Sequence, residues 1–324
     1  TLEEKIAQLG GDQSAMATPD NERLGIPGFK MADGPNGVRH GKSTCWPCCL
    51  AMGATWDPTL LERLGVALGR EFRGKGRYVA LGPCINIIRD PRGGRSFETM
   101  GEDPYLLSCM AVAYVRGMQS QRVIATPKHF ACNNQENGRG SNDVQVDERT
   151  LREFYLPHFR AVVQEGGAWA IMSAYNKVRG EHCTQNHYLQ VDLLKNEWGF
   201  PGIVMSDWGA CHTTVEAING GLDVEMPTAH FYGQPLLDAV KRGDVDEETI
   251  DEAVRRVLRA KFWAGVFEQP VQPDESQVNT PEHQALAREV EAKAIVLLKN
   301  EGNLLPLDRG AIKSIAVIGP NADT

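Results

Sequence analysis

The chain has 324 residues, of which 42% are hydrophobic and 23% charged, the usual composition of a globular protein with one or two domains. Its net charge of −8 argues against a nucleic-acid partner, because binding to phosphates normally requires a basic surface. No apolar run approaches the roughly 18 residues that a membrane-spanning helix requires, so we expect no integral membrane protein.

The eight cysteines are too sparse for a dense disulfide framework in a chain of this length. Cys45, Cys48 and Cys49 form a cluster that is interrupted by Pro47 and lacks a second Cys/His pair at the spacing of a zinc site. We therefore expect free or buried thiols, no metal site and no cofactor.

Six short apolar runs each end in polar or charged residues, and segments with helical periodicity lie between them. The apolar runs are 29–32, 78–88, 123–127, 169–174, 202–206 and 222–225. The helical segments are 58–68, 106–118, 150–164, 188–198 and 246–262. Asp57-Pro58 and Asp103-Pro104 predict helix starts, with Asp as the N-cap and Pro as the first helical residue.

This alternation predicts an α/β fold with a parallel sheet. Six strands with reactive side chains at one end favour a TIM-type (β/α) barrel over a doubly wound sheet, and no glycine-rich dinucleotide fingerprint opens a helix. We assign the catalytic barrel to residues 1–268.

The segment 269–281 is polar and rich in proline, which predicts an exposed linker. A helix is expected from Pro281, and the apolar run 314–319 predicts a strand. Because that strand needs neighbours that do not follow in this sequence, we assign 282–324 to the beginning of an incomplete α/β sandwich domain.

Asp207 ends the apolar run 202–206, and an acidic residue at this end of a parallel barrel strand lies at the mouth of the pocket. Alone, it could equally cap a following helix. The same rim is expected to carry further hydrogen-bonding and aromatic side chains. The acid is Asp33, the donors are Arg95, Lys128, His129 and Arg139, and the aromatic residues are Tyr175 and Trp208.

This mixture suits a sugar, because charged groups hold ring hydroxyls by charge-assisted hydrogen bonds while aromatic faces cover the apolar side of the ring. A carboxylate nucleophile at an anomeric carbon needs a nearby cation but no thiol or metal. The residue types are compatible with this chemistry, but they do not by themselves identify the reaction.

Five motifs, in order along the chain, resemble glycoside hydrolase family 3. They are Ala-Asp-Gly-Pro-Asn-Gly-Val-Arg at 32–39, Arg-Asp-Pro-Arg-Gly-Gly-Arg-Ser-Phe-Glu at 89–98, Lys-His-Phe-Ala-Cys-Asn-Asn-Gln-Glu-Asn-Gly-Arg at 128–139, Ile-Met-Ser-Ala-Tyr-Asn at 171–176 and Gly-Phe-Pro-Gly-Ile-Val-Met-Ser-Asp-Trp at 199–208.

The resemblance implies a retaining exo-acting β-glycosidase, a β-glucosidase before a β-xylosidase, with Asp207 as the catalytic nucleophile. It also implies that the glycosyl ring is bound by Asp33, Arg95, Lys128, His129, Arg139 and Tyr175, and that Trp208 flanks the aglycone. In two-domain members of this family the acid/base is a Glu of the second domain, so the expected partners are a β-glucoside and the remaining C-terminal part of the protein.

Two other functions stay open at this point. Lys128 at a strand end could form a Schiff base with a carbonyl substrate, as in barrel aldolases. Alternatively, the chain could bind sugar without turning it over, because its motif Lys128-His129-Phe130 lacks the following Asp-His pair that supplies the acid/base in single-domain members.

Overall fold

A computed structural model describes residues 1–320 and 322 of the chain. Short strands and longer helices alternate through most of it. The strands are β1 (Met31–Asp33), β2 (Val79–Leu81), β3 (Ile124–Ala125), β4 (Lys128–Phe130), β5 (Asp143–Val144), β6 (Ala170–Ser173), β7 (Lys177–Val178), β8 (Glu181–His182) and β9 (Ile203–Ser206). The α-helices are α1 (Leu2–Ala7), α2 (Cys49–Ala54), α3 (Pro58–Gly74), α4 (Pro104–Gln119), α5 (Glu148–Thr150), α6 (Pro157–Gln164), α7 (Val215–Asn219), α8 (Gln234–Arg242), α9 (Glu247–Trp263) and α10 (Pro281–Ala294).

Two parallel three-stranded sheets form the centre of the fold, in the orders β1-β2-β3 and β4-β6-β9. An isolated parallel bridge from Cys84 to Lys128 links the two sheets, and bridges from Met205 to Val224 and from Gly10 to Glu225 extend the second one. A third small sheet of β5, β7 and β8 lies outside this ladder. The predicted α/β class with parallel strands is therefore confirmed, whereas closure of these small sheets into a barrel stays a prediction.

The core lies between the strands and the helices that cover them. Residues of β1, β2, β6 and β9 other than Asp33 are almost completely buried, as is expected for parallel strands covered on both faces. Helices α3 and α4 begin as predicted, because Asp57 accepts a hydrogen bond from Leu60 N at 3.0 Å and Asp103 accepts one from Leu106 N at 2.6 Å.

Two predicted helices differ in detail from the structure. The segment 150–164 is divided into α5, a π-helical turn over Leu151–Tyr155 and α6, because Pro157 has no amide hydrogen with which to continue a helix. The segment predicted over 188–198 is π-helical over Tyr188–Glu197. The apolar run 222–225 forms bridges rather than a strand of its own.

The C-terminal segment departs furthest from the sequence-based expectations. Helix α10 begins at Pro281 as predicted, with Thr280 as its N-cap, and ends at Ala294. The segment 314–319, predicted to be a strand, is exposed and pairs with no strand among residues 1–320 and 322. Because its expected neighbours are not part of this sequence, the strand stays a prediction. Within 269–281, Asp274 N donates to Gly74 O at 2.7 Å and Val278 is buried, so this segment is held against α3.

None of the helices within residues 1–320 and 322 combines the length and the apolar character that crossing a membrane would require.

Candidate active site

All eight predicted site residues lie around one open pocket with about 870 Å³ of empty space, including its mouth. Seven of them line the pocket, and the eighth, His129, lies directly behind Asp207 and Arg95. The residues come from the ends of β1, β4, β6 and β9 and from two loops, because parallel strands end at the same edge of a sheet. The fold therefore brings the set together, while the role of each member stays a prediction.

Asp207 follows β9 and is only 8% exposed. Its Oδ1 accepts a hydrogen bond from the Trp208 backbone N at 2.7 Å, and no protein group donates to its Oδ2. Burial raises the pKa of this carboxyl above its usual range, opposed by the Trp208 amide and by the charge of Lys128. No helix starts here, since α7 begins eight residues later at Val215, so Asp207 is not an N-cap.

His129 in β4 is 1% exposed and is enclosed by polar groups. Its Nε2 lies 3.0 Å from an Arg95 guanidinium nitrogen and 3.4 Å from Asp207 Oδ2. Burial, together with the charges of Arg95, Lys128 and Arg139, holds the pKa of His129 well below its usual value. This shift favours the neutral form of the ring.

Asp33 and Lys128 form an ion pair at the pocket wall, with Lys128 Nζ 3.5 Å from Asp33 Oδ1. Arg39 adds a second contact at 3.7 Å to Asp33 Oδ2. The turn after Asp33 requires glycine at Gly34, where φ is +147° and a Cβ would lie 2.4 Å from Gly37 O. This tight turn places the Asp33 carboxylate over the pocket.

Tyr175 and Trp208 supply the aromatic surfaces. The Tyr175 hydroxyl donates to Trp208 O at 2.9 Å, and the Trp208 indole Nε1 donates to Ala15 O at 3.0 Å. The Arg139 guanidinium lies 4.1 Å from the centroid of the Tyr175 ring, within the range of a cation–π interaction. Both rings are thereby fixed in orientation before any ligand enters.

Two acids hold the arginines in place. Glu98 accepts a hydrogen bond from Arg95 Nε, and Glu136 accepts one from Arg139 at 2.6 Å. Glu136 also lies 3.9 Å from Arg95, so that one carboxylate contacts both Arg95 and Arg139. Glu98 and Glu136 therefore have a structural role, because each holds an arginine of the pocket in position.

The other acids near the rim are also occupied by structural contacts or lie in solvent. Glu225 accepts a hydrogen bond from Tyr232 N at 2.7 Å, and Asp143 accepts one from Gly180 N at 2.8 Å. Glu102 is exposed at the start of the turn before α4. Within residues 1–320 and 322, no group of three or more His, Cys, Asp or Glu side chains is placed to hold a metal ion.

Sequence analysis did not identify several residues at this site, among them Asn86 and Met16. Asn86 is buried beneath the pocket and hydrogen-bonds both the backbone and the ring of His129. Met16, from the segment before β1, lines the pocket wall. Asn86 could have been found as the polar residue inside the apolar run 78–88, whereas nothing in the sequence marks Met16.

The sequence profile of the glycosyl hydrolase family 3 N terminal domain matches residues 2–260. A beta-glucosidase of Rhizobium radiobacter is 47% identical to this chain, over 99% of the chain and 40% of that protein. Thermostable beta-glucosidase B of Acetivibrio thermocellus is 42% identical, over 98% of the chain and 43% of that protein. The solved structure of beta-glucosidase 3B from Thermotoga neapolitana, in complex with alpha-D-glucose, superposes with a TM-score of 0.89 at 37% identity, covering 95% of this chain and 47% of that one. The chain belongs to glycosyl hydrolase family 3.

The chain spans less than half the length of these relatives. Their names therefore describe proteins that contain a large additional part.

Proposed function

We propose that this chain is the nucleophile-bearing part of a retaining, exo-acting β-glucosidase that removes terminal β-D-glucosyl residues. The observation that carries the proposal is Asp207, a buried strand-end carboxylate that lines a pocket together with cationic side chains and whose Oδ2 receives no hydrogen bond from the protein. A nucleophile needs such a free oxygen, and nearby positive charge favours its ionised form. Relatives named beta-glucosidase at 42–47% identity over nearly the whole chain support the same conclusion.

The reaction would proceed in two displacements. The Asp207 carboxylate attacks the anomeric carbon while the bond to the aglycone oxygen breaks and an acid protonates that oxygen. The resulting glycosyl ester is then cleaved by water, which loses its proton to the same group and displaces Asp207 from the anomeric carbon. Configuration is retained because each displacement inverts it once.

Asp33, Lys128, Arg95, His129, Arg139 and Tyr175 would surround the ring of the bound glycosyl unit. Asp33 and Lys128 offer a paired acceptor and donor 3.5 Å apart, which suits a sugar with vicinal hydroxyls. Trp208, beside the nucleophile, would flank the aglycone. The Asp33 carboxylate favours a hydroxyl-rich hexose over a pentose, so we rank a glucoside above a xyloside.

The acid/base would come from the remaining C-terminal part of the protein, as a Glu packed over the pocket mouth. Two observations support this arrangement: the nearby acids of the described part are occupied elsewhere or exposed, and the relatives are more than twice as long. We further propose that the parallel strands and their bridges form an irregular (β/α) barrel over 1–268. Segment 269–281 would be the linker and 282–324 the start of an α/β sandwich domain.

The ion pair of Lys128 with Asp33 disfavours a Schiff-base mechanism, since an imine-forming lysine must become neutral to attack a carbonyl group. Sugar binding without turnover stays the second candidate for residues 1–324 alone, because the proposed acid/base lies outside them.

Covalent labelling tests the proposal. The complete protein is incubated with a 2-deoxy-2-fluoro-glucoside that carries a good leaving group, and the labelled peptide is identified by mass spectrometry. We expect the label on Asp207 and none in an Asp207→Asn variant. A label on Asp33 or Glu136 would assign the nucleophile elsewhere.

A further inference from the structure

We propose that Asn86 is a positioning residue that keeps His129 in a single tautomer, with its proton on Nδ1, and thereby prevents His129 from donating a hydrogen bond that would weaken Asp207 as a nucleophile. The inference concerns the site of the proposed function and rests on Asp207 being the nucleophile. It explains why Asp207 Oδ2, on which the proposed function rests, receives no hydrogen bond from His129.

The orientation of the Asn86 amide is fixed by the backbone of His129. Asn86 Nδ2 donates to His129 O at 2.9 Å, while Asn86 Oδ1 accepts from His129 N at 2.9 Å. If the amide were flipped, its NH2 group would face the His129 N–H and its oxygen would face the His129 carbonyl oxygen, and neither pair can form a hydrogen bond. The amide of Asn86 therefore has only the observed orientation. The oxygen of Asn86 is therefore the atom that faces the imidazole ring.

That oxygen also fixes the position of the ring proton. His129 Nδ1 lies 3.0 Å from Asn86 Oδ1, and an amide oxygen can only accept, so Nδ1 carries the hydrogen. On the other side of the ring, Nε2 lies 3.0 Å from an Arg95 guanidinium nitrogen, which can only donate. Both neighbours require the same tautomer, with a hydrogen on Nδ1 and a lone pair on Nε2.

The consequence for Asp207 follows from one distance. His129 Nε2 is 3.4 Å from Asp207 Oδ2, close enough for a hydrogen bond if the ring were turned slightly and Nε2 carried a proton. In the tautomer held by Asn86 there is no hydrogen between these two atoms. Oδ2 therefore accepts no hydrogen bond from His129, and the Asp207 carboxylate is not weakened as a nucleophile by such a bond.

The charges around His129 act in the same direction. Arg95, Lys128 and Arg139 all face the ring and disfavour a second proton, while Asp207 is the acid in contact with it. The Cys84 thiol, two residues before Asn86, lies 3.9 Å from Nδ1. Without Asn86, of the two contacts that select the tautomer only that of Arg95 with Nε2 would remain.

The test measures the tautomer directly. The complete protein is labelled with ¹⁵N in its histidine rings, and the His129 signals are assigned by their loss in a His129→Gln variant. We expect a protonated-type shift for Nδ1 and an unprotonated-type shift for Nε2, both unchanged across the pH range in which the protein stays folded. A hydrogen on Nε2 in the unmodified protein would overturn the inference.

Two substitutions test the role of Asn86. Asn86→Leu keeps the approximate volume but removes all three bonds, so we expect mixed tautomers and a fall in kcat of about tenfold or more, with KM changed less. In Asn86→Asp a carboxylate faces Nδ1 and favours the doubly protonated ring. We expect this variant to lose kcat/KM at acidic pH, as Nε2 gains a proton and donates to Asp207.

Asn134→Leu is the matched control, because this neighbouring amide donates to Ile87 O at 2.6 Å without contacting His129. It should leave both the ring shifts and the pH profile unchanged. If Asn86→Leu does not fold, the ¹⁵N spectrum of the unmodified protein and the pH dependence of kcat/KM for Asn86→Asp still test the proposal. A wild-type tautomer and unchanged kcat in a folded Asn86→Leu variant would contradict the proposal. The spectra need no turnover, so a fluoro-glucoside label outside Asp207 would reject the proposed function without altering the tautomer result.

Discussion

Lys128 Nζ lies 3.5 Å from Asp33 Oδ1 although Lys128 is only 4% exposed, so the two charges depend on each other in the absence of a ligand. Removing one partner of a buried pair leaves the other without compensation. Substitution of either residue should therefore also affect the charge of the other.

We predict that Asp33→Ala lowers kcat/KM for aryl glucosides by roughly 10- to 100-fold or more, as expected for the loss of one or more charge-assisted hydrogen bonds. The loss should be smaller for the deoxy-glucoside that lacks the hydroxyl bound by Asp33. Asp33→Asn, which keeps the shape of the side chain, serves as the control for packing. An equal loss across the deoxy-glucoside series would contradict the assigned contact.

A second prediction concerns the acid side of the pH profile. Burial raises the pKa of Asp207, and Lys128 and Arg95 oppose this rise. Since only the ionised carboxylate attacks, kcat/KM should fall as the pH drops through this raised pKa. Lys128→Met removes one opposing charge, so its acid limb should move to higher pH, measured with an activated dinitrophenyl glucoside. The exposed Lys241→Met variant should keep the wild-type profile, and an acid limb of Lys128→Met at the wild-type position would argue against this coupling.

The third prediction is that none of the five nearby acids is the acid/base. Each is replaced by its amide in the complete enzyme and assayed on an unactivated glycoside, with azide added to a parallel assay on a nitrophenyl glucoside. The acids are Glu98, Glu102, Glu136, Asp143 and Glu225. No variant should show the rescue by azide that identifies a missing acid/base. Rescue of any one of them, or hydrolysis of cellobiose at the full rate by isolated residues 1–324, would place the acid/base inside this chain.

Much of the site could be predicted from sequence because strand ends carry it. Asp33 and Asp207 each follow a buried apolar run, and parallel strands bring such ends to one edge whatever the details of packing. The helix starts at Asp57 and Asp103 were equally accessible, since capping depends on residues only three positions apart.

The remaining features depend on contacts between distant parts of the chain. Asn86 and His129 are 43 residues apart, and their three bonds depend on how the strand ends are aligned. The neutral state of His129 likewise follows from burial, which its sequence motif does not record. The run 314–319 has the composition of a strand, but a strand requires a partner for its backbone groups.

The last prediction concerns stability rather than catalysis. Lys261 in α9 is fully buried, and its Nζ donates to Gln8 Oε1 at 2.6 Å and lies 5.5 Å from the Phe29 ring centroid. Burial lowers the pKa of Lys261 from 10.5 to about 8. Between these two pH values the unfolded chain holds a proton that the folded chain has released, so this group makes the protein more stable as the pH rises.

The shift corresponds to roughly 3 kcal/mol at 1.36 kcal/mol per pKa unit. From pH 8 to pH 10.5, the free energy of unfolding should therefore rise less for Lys261→Met than for the wild type, and the difference should be about this amount. Denaturant titrations at several pH values measure the difference, in which the contributions of buried thiols and tyrosines cancel because both proteins share them. The exposed Lys241→Met variant should follow the wild type. Parallel pH dependences of Lys261→Met and wild type would show that Lys261 stays protonated in the folded protein.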